Sequence, residues 1–208
     1  MKKDRLELLL AEIRACRICR DAPWRAPLPH EPRPVLQASS TARLMIVGQA
    51  PGTKVHVSGR PFTDASGDRL REWLGLDDAT FYDAARVAIL PMGFCFPGQD
   101  AKGGDLPPRP ECAPAWRARL LAEMPEPALT VALGAPALRW TLQRAGRRDL
   151  VAPTLDAAIV DWRRIYAQLR VMPLPHPSWR NTGWLKRNPW FAEEVLPVLR
   201  AEVARALA

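Results

Sequence analysis

The sequence predicts an α/β fold: a three-layer α/β/α sandwich around a four-stranded parallel sheet. Four short runs of aliphatic and β-branched residues recur along the chain, at 43–48, 86–92, 129–134 and 170–175. Segments with the apolar spacing of helices separate these runs. Apolar strands that alternate with helices are typical of a parallel sheet covered on both faces.

The helices follow from apolar spacing in chain order. The first is predicted over 3–15, where Leu6, Leu9, Leu10 and Ile13 share one stripe. A proline-rich stretch, 23–34, is expected to be extended. Further helices are predicted over 67–75, 110–124, 135–146, 156–169 and 188–208. The chain shows no internal repeat and no change in composition, so a single domain over 1–208 is expected.

Composition excludes several classes of protein. The chain has 208 residues, 48% of them hydrophobic, and a formal net charge of +8, which favours a polyanionic partner without establishing one. No run reaches the roughly 18 apolar residues of a membrane span, and the N-terminus lacks the apolar core of a secretion signal. We therefore expect a cytoplasmic monomer with no membrane partner, whose cysteines stay reduced.

The predicted topology indicates where a site belongs. In open parallel sheets, ligands bind beyond the carboxyl ends of the strands. Four loops occupy such positions: "GQAPG" at 48–52, "GFCFPG" at 93–98, "GAPA" at 134–137 and "HPSWRN" at 176–181.

The four cysteines form a pattern with metal-ligand character. Cys16 and Cys19 are a C-x2-C pair, and Cys95 and Cys112 lie far downstream. Scattered core cysteines are the alternative, but two thiols three residues apart can converge on one metal. Four thiolates can hold a tetrahedral zinc or a four-iron cluster, and spacing alone does not choose between them.

His176 stands between Pro175 and Pro177, directly after the fourth apolar run. Both prolines restrict the backbone, so the imidazole is aimed in one direction. A histidine bonded to backbone at a strand end is the alternative interpretation. Ser178, Trp179, Arg180 and Asn181 follow it, and these side chains suit contacts with a nucleic-acid strand.

Taken in order, these motifs resemble the uracil-DNA glycosylase superfamily, in particular its iron–sulfur branches, families four and five. The resemblance runs from Cys16 to about Trp190 and rests on "GQAPG", "SGRPFTDASG" at 58–67, the four cysteines and "HPSWRN". It implies that Cys16, Cys19, Cys95 and Cys112 hold a [4Fe–4S] cluster, with zinc as the lesser possibility. It also implies a DNA partner that contains uracil or another deaminated base.

The resemblance further implies roles for individual residues. His176 would donate a hydrogen bond to the departing base, and Asp64 would position the attacking water. Gly48, Gln49, Ala50 and Phe62 would bind the flipped base, and residues 178–181 would enter the DNA. The residues themselves leave two alternatives open: Asp64 is also a good helix N-cap, and Phe62 suits a core position.

The chain departs from the family pattern at two places. Ala50 stands where some branches carry a water-activating Asp or Asn, and no asparagine follows the second strand, around Pro91 and Met92. We therefore expect a uracil-DNA glycosylase of broad base specificity that uses no lysine nucleophile. A catalytically silent module that binds damaged DNA and a redox or structural metal protein are the competing hypotheses.

Overall fold

The computed structural model describes residues 2–208 and confirms the predicted α/β/α sandwich. Its four strands form one parallel sheet in the order β2-β1-β3-β4. The strands are β1 (Leu44–Val47), β2 (Val87–Ile89), β3 (Leu129–Leu133) and β4 (Val171–Leu174).

Eleven α-helices surround this sheet in the part of the chain that the structure describes. They are α1 (Lys2–Arg14), α2 (Ile18–Asp21), α3 (Thr53–Ser58), α4 (Ala65–Leu74), α5 (Asp78–Phe81), α6 (Ala118–Glu123), α7 (Ala135–Arg144), α8 (Leu155–Val160), α9 (Trp162–Leu169), α10 (Thr182–Arg187) and α11 (Leu196–Leu207). None of these helices combines the length and the apolar character that crossing a bilayer requires.

Both faces of the sheet are buried, which explains the continuous apolar strands. Leu44 and Ile46 of β1 pack in a cluster with apolar residues of α4 and α11. Met45 and Val47 point to the other face and pack in a cluster with α1 and α6. Alternate residues of a strand point to opposite faces, so a strand between two helical layers needs apolar residues at every position.

Three predicted helices are interrupted. The segments predicted over 110–124 and 188–208 begin as π-helical turns, Ala113–Arg117 and Phe191–Val195, before α6 and α11. Pro197 follows the second turn and has no N–H to donate, so the regular helical bond is lost there. The segment predicted over 156–169 is two helices, because Asp161 has φ −88° and ψ 20° between them.

Candidate active site

A cavity of about 430 Å³ opens at the carboxyl ends of the strands, where the sequence predicts a site. Loops that follow β1, β2 and β4 line it. The lining residues include Gly48, Gln49, Ala50, Pro51, Gly52, Phe62, Asp64, Ile89, Pro91, Asp105, Leu106, His176, Ser178, Trp179, Arg180 and Asn181. All predicted catalytic, base-binding and DNA-binding residues therefore lie around one cavity.

The loop after β3 reaches this cavity only indirectly. Gly134 has φ +83°, and a Cβ built on it would lie 2.7 Å from the Gln49 side-chain nitrogen. The Gln49 side chain thus packs on the bare backbone of the "GAPA" loop. This contact explains why a glycine ends β3, and it turns the Gln49 side chain toward β3.

The first loop offers backbone donors to the cavity. The carbonyl oxygens of Gly48 and Gln49 accept hydrogen bonds from the N–H groups of Met92 and Gly93, both at 2.9 Å, and so tie this loop to the loop after β2. The N–H groups of Gln49 and Ala50 make no hydrogen bond to any residue of the range 2–208. Free amides beside a cavity are suited to an anionic or carbonyl oxygen of a ligand.

Phe62 is held in an unusual backbone conformation. Its φ is 54°, in the left-handed region that non-glycine residues rarely adopt. Its carbonyl oxygen accepts hydrogen bonds from the Tyr82 hydroxyl at 3.0 Å and from Arg71 Nη1 at 3.3 Å. The ring tip lies 3.7 Å from the place where a Gly48 Cβ would be, so it reaches the first loop.

Gly67 makes this conformation possible. A Cβ at Gly67 would lie 1.8 Å from the Phe62 carbonyl oxygen, so the two backbones approach too closely for any side chain. Phe62 also packs edge-on against Phe81, with ring centroids 6.1 Å apart. The surroundings fix Phe62 from several sides, as expected for strain stored at a functional site.

Asp64 caps helix α4, which is the alternative that its sequence context left open. Its Oδ1 accepts hydrogen bonds from the Ser66 hydroxyl at 2.9 Å and from Gly67 N–H at 3.2 Å. Both bonds end on the same oxygen, and within residues 2–208 no hydrogen bond ends on Oδ2. Since Asp64 also lines the cavity, capping leaves one carboxylate oxygen for a ligand or a water molecule.

His176 presents one ring nitrogen to the cavity. Its Nδ1 lies 3.2 Å from the Ser178 amide N–H and accepts its hydrogen bond. The proton of the neutral ring is therefore on Nε2. Burial lowers the pKa of His176 and outweighs the charges of Asp64 and Asp105, which act in the other direction, so the imidazole is neutral at pH 7.

The loop that carries His176 is held at two places. Asn181 Nδ2 donates to the His176 carbonyl at 2.7 Å, which leaves its amide oxygen for other partners. Arg69 of α4 donates to the carbonyls of Pro177 and Ser178, at 3.3 and 3.0 Å. Sequence reasoning missed Arg69, because an arginine in the middle of a helix carries no signal of its partner in a distant loop.

Trp179 forms the exposed rim of the cavity. Its side chain is 74% exposed, and the Arg180 guanidinium lies 5.5 Å from its ring centroid. Because Trp179 also lines the cavity, its apolar ring stands at the mouth, where an entering ligand meets it.

Asp105 is a second carboxylate of the cavity that sequence reasoning did not find. It ends a tight turn in which Gln99 pairs with Asp105 and the Asp100 carboxylate accepts from the N–H groups of Lys102 and Gly104, both at 2.8 Å. A Cβ on Gly52 would lie 3.2 Å from Asp105 Oδ2, so the carboxylate faces the first loop. Only the fold brings residue 105 next to residue 52.

The four cysteines lie around a second cavity, on the side of the sheet covered by α1 and α6. Cys16 follows α1, Cys19 lies in α2, Cys95 follows β2 and Cys112 precedes the first π turn. Burial raises the pKa of the Cys95 and Cys112 thiols to about 12, and it also raises the pKa of Cys19.

Two hydrogen-bond donors reach sulfur atoms of this cavity. Phe94 N–H donates to Cys112 Sγ and the Trp116 indole N–H donates to Cys16 Sγ, both at 3.2 Å. Such donors are typical around thiolates that hold a metal or cluster. Over the described range, no three Cys, His, Asp or Glu side chains are close enough together to hold a single metal ion.

A family comparison agrees with this arrangement of strands and loops. The family model of the uracil DNA glycosylase superfamily matches residues 36–200, which contain the whole sheet, every cavity loop, Cys95 and Cys112; Cys16 and Cys19 precede the match. Since the match covers well over half of the chain, this protein belongs to the uracil DNA glycosylase superfamily and is, in general terms, a DNA glycosylase.

Proposed function

We propose that this protein hydrolyses the N-glycosidic bond of uracil in DNA, after flipping the nucleotide out of the helix, and so begins base excision repair. The observation that carries the proposal is the neutral His176, whose Nε2–H is available in the same cavity as Phe62, Asp64 and the free amides of the first loop. Superfamily membership supports DNA glycosylase chemistry, and the base specificity is our inference.

Cleavage of this bond gives the sugar oxocarbenium character and leaves negative charge on the departing base. His176 Nε2–H donates to a carbonyl oxygen of the base as that charge develops. The ring is already neutral and its tautomer is set, so no proton has to move before the reaction. Phe62 stacks on the base, and the N–H groups of Gln49 and Ala50 bind its other edge.

A carboxylate is needed to orient water and to stabilise the sugar cation. Asp64 is our first candidate, because only its Oδ1 accepts the hydrogen bonds that cap α4 and its Oδ2 accepts none. Asp105 is the second, because it lines the same cavity on the side of Gly52. No lysine lines this cavity among the described residues, so we expect a monofunctional enzyme that leaves an abasic site without cutting the strand.

Base specificity is expected to be broad. Pro91, two residues after β2, lines the cavity and offers no side-chain amide to the polar edge of a base. A site that hydrogen-bonds a base through a side chain rejects analogues strongly, whereas backbone groups and stacking discriminate less. We therefore expect hypoxanthine and xanthine to be released as well as uracil.

We propose that Cys16, Cys19, Cys95 and Cys112 hold a [4Fe–4S] cluster. When bound, the cluster supplies a rigid link and no chemistry of base hydrolysis. The four thiols come from the segment after α1, from α2, from the loop after β2 and from the start of the first π turn. The cluster would therefore hold α1 and α2 against the helical layer and the loop next to the sheet. A brown protein that absorbs near roughly 400 nm, with iron and sulfide, supports a cluster; a colourless protein with stoichiometric zinc contradicts it.

The glycosylase proposal is tested by measuring free base released from single- and double-stranded DNA that carries uracil, hypoxanthine or xanthine. We expect release by the wild type, and a large loss in Asp64→Asn and His176→Ala. Comparing the rates of base release by Asp105→Asn and Asp64→Asn identifies which carboxylate orients the attacking water. Asp100→Asn, in the same turn as Asp105, is the matched control, since Asp100 is not among the cavity residues.

Absence of base release from every substrate, by a folded and metal-loaded protein, overturns the enzymatic proposal. If that protein still binds damaged DNA, and binding survives both Asp64→Asn and His176→Ala, the silent binding module is the better interpretation.

A further inference from the structure

Arg117 is a buried cation without a carboxylate partner. Its side chain is 1% exposed, and no Asp or Glu in residues 2–208 forms an ion pair with it. Two bonds from Nη1 reach the carbonyls of Leu90 and Pro91, at 2.8 and 2.9 Å, while Nε and Nη2 are buried without a hydrogen bond. A guanidinium keeps its proton in a protein, so an anion is expected near it.

The buried carboxylate of Glu111 is paired with a different arginine, Arg109. Glu111 is also 1% exposed, but its Oε1 accepts from Arg109 Nη2 and from Trp24 N–H, both at 2.8 Å. The Trp140 ring, 4.2 Å from the Arg117 guanidinium, offers only the weak attraction of its face. Neither group supplies a full negative charge for Arg117.

The thiols are the remaining source of negative charge. Cys112 and Arg117 stand at the two ends of the first π turn, whose bonds run from residue i to i+5 and bring these ends together. Both side chains also attach to one short segment after β2: Cys112 Sγ accepts from Phe94 N–H, and Arg117 donates to Leu90 and Pro91. Four thiolates around a metal group leave it with net negative charge.

We propose that Arg117 is a counter-charge of the metal group held by the four cysteines, and that it connects this group to the wall of the base cavity. Arg109 lines the cysteine cavity too, but the charge of Arg109 is paired with Glu111. The connection runs from Arg117 to the carbonyl of Pro91, which lines that cavity. Arg117 is thus a positioning residue. The proposal rests on the proposed metal group and is independent of base release.

The test compares three variants by iron and sulfide content, by the rate of bleaching near roughly 400 nm in the presence of a chelator, and by the reduction potential of the cluster. Arg117→Met removes the charge and keeps most of the side-chain volume. Arg117→Lys keeps the charge and weakens the two carbonyl bonds. Arg119→Met is the matched control: Arg119 lies over the Trp116 ring at 5.1 Å, but it is exposed and pairs with Glu12.

We expect Arg117→Met to contain less iron and sulfide, to bleach faster and to shift the potential to more negative values, because a buried positive charge favours the reduced, more negative cluster. Arg117→Lys should stay close to the wild type in potential, and Arg119→Met should match it in all three measurements. Equal losses in Arg117→Lys and Arg117→Met would overturn the proposal, since the carbonyl bonds and not the charge would then matter.

If Arg117→Met binds little metal, the proposal can still be tested by measuring the thermal unfolding of the metal-loaded and the metal-free protein. Arg117→Met removes the bonds to the Leu90 and Pro91 carbonyls in both forms, but in the metal-free form it also removes an unpaired buried charge. The melting temperature of the loaded form should therefore decrease more than that of the metal-free form. A loss of the same size in both forms contradicts the proposal. None of these measurements uses DNA, so they stand apart from the test of glycosylase activity.

Discussion

At the scale of single residues, His176 shows how one backbone contact sets a chemical role. The Ser178 N–H occupies Nδ1 and so places the ring proton on Nε2. The prolines beside His176 are visible in the sequence and predict a fixed imidazole. The tautomer was not predictable, because it depends on how the chain turns back two residues later.

This contact predicts the pH dependence of base release. Burial lowers the pKa of His176 below its usual value of 6.5, so the neutral form persists as the pH falls through 6.5. Protonation below the lowered pKa puts a proton on Nδ1, against the Ser178 N–H. The decrease of the single-turnover rate at low pH should therefore be centred below pH 6.5. A decrease centred at or above pH 6.5 in the wild type would contradict the neutral-donor role.

Phe62 and Gly67 predict a large effect of a very small substitution. Gly67→Ala places a Cβ where the Phe62 carbonyl lies, so either the left-handed Phe62 or the start of α4 must move. We expect a loss of about 3 kcal/mol or more in the free energy of unfolding, measured by urea denaturation.

Gly183→Ala is the control for this substitution. Gly183 lies in α10, and a Cβ there meets no atom within 4 Å. Gly183 is only the second residue of this helix, so the stability of this variant should stay within about 0.5 kcal/mol of the wild type. A Gly67→Ala protein as stable as the wild type would show that the Phe62 backbone is not fixed by this contact.

At the scale of elements, the strands were predictable and the short helices were not. Burial on both faces forces every strand position to be apolar, and that run is visible in the sequence. Helices α2, α3, α5 and α10 have only four to six residues, too few for an apolar period. The sequence did not predict Asp105 as a site residue for a related reason. Its polar and glycine residues indicate a turn, but they do not indicate that this turn packs against the base cavity.

The rim element, residues 178–181, predicts different behaviour on duplex and single-stranded DNA. A Trp179 side chain that fills the gap left by a flipped base acts only where bases are stacked and paired. Trp179→Ala should therefore reduce base release from double-stranded DNA much more than from single-stranded DNA. Trp24→Ala is the control, since Trp24 is 65% exposed but does not line the cavity. Equal losses on both substrates would contradict a wedge role.

At the scale of the whole molecule, the sheet order was not predictable from the sequence. Apolar runs identify strands, but the order β2-β1-β3-β4 depends on which neighbours pair. The position of the site was nevertheless predictable, because all strands are parallel and their carboxyl ends lie at one edge. Two of the four predicted loops, 48–52 and 176–181, line the cavity. The predicted loop 93–98 instead supplies Phe94 and Cys95 to the cysteine cavity, and the loop after β3 receives the Gln49 side chain.

The strand that carries His176 is the last one in the chain, and it pairs only with β3. During translation the ribosome therefore releases Phe62, Asp64 and the first loop well before the imidazole. A nascent or prematurely terminated chain that ends before residue 170 contains the cavity residues that follow β1 and β2, but it lacks the rim and the group that activates the leaving base. Such fragments should be inert toward DNA, since this histidine is added only when the sheet is completed.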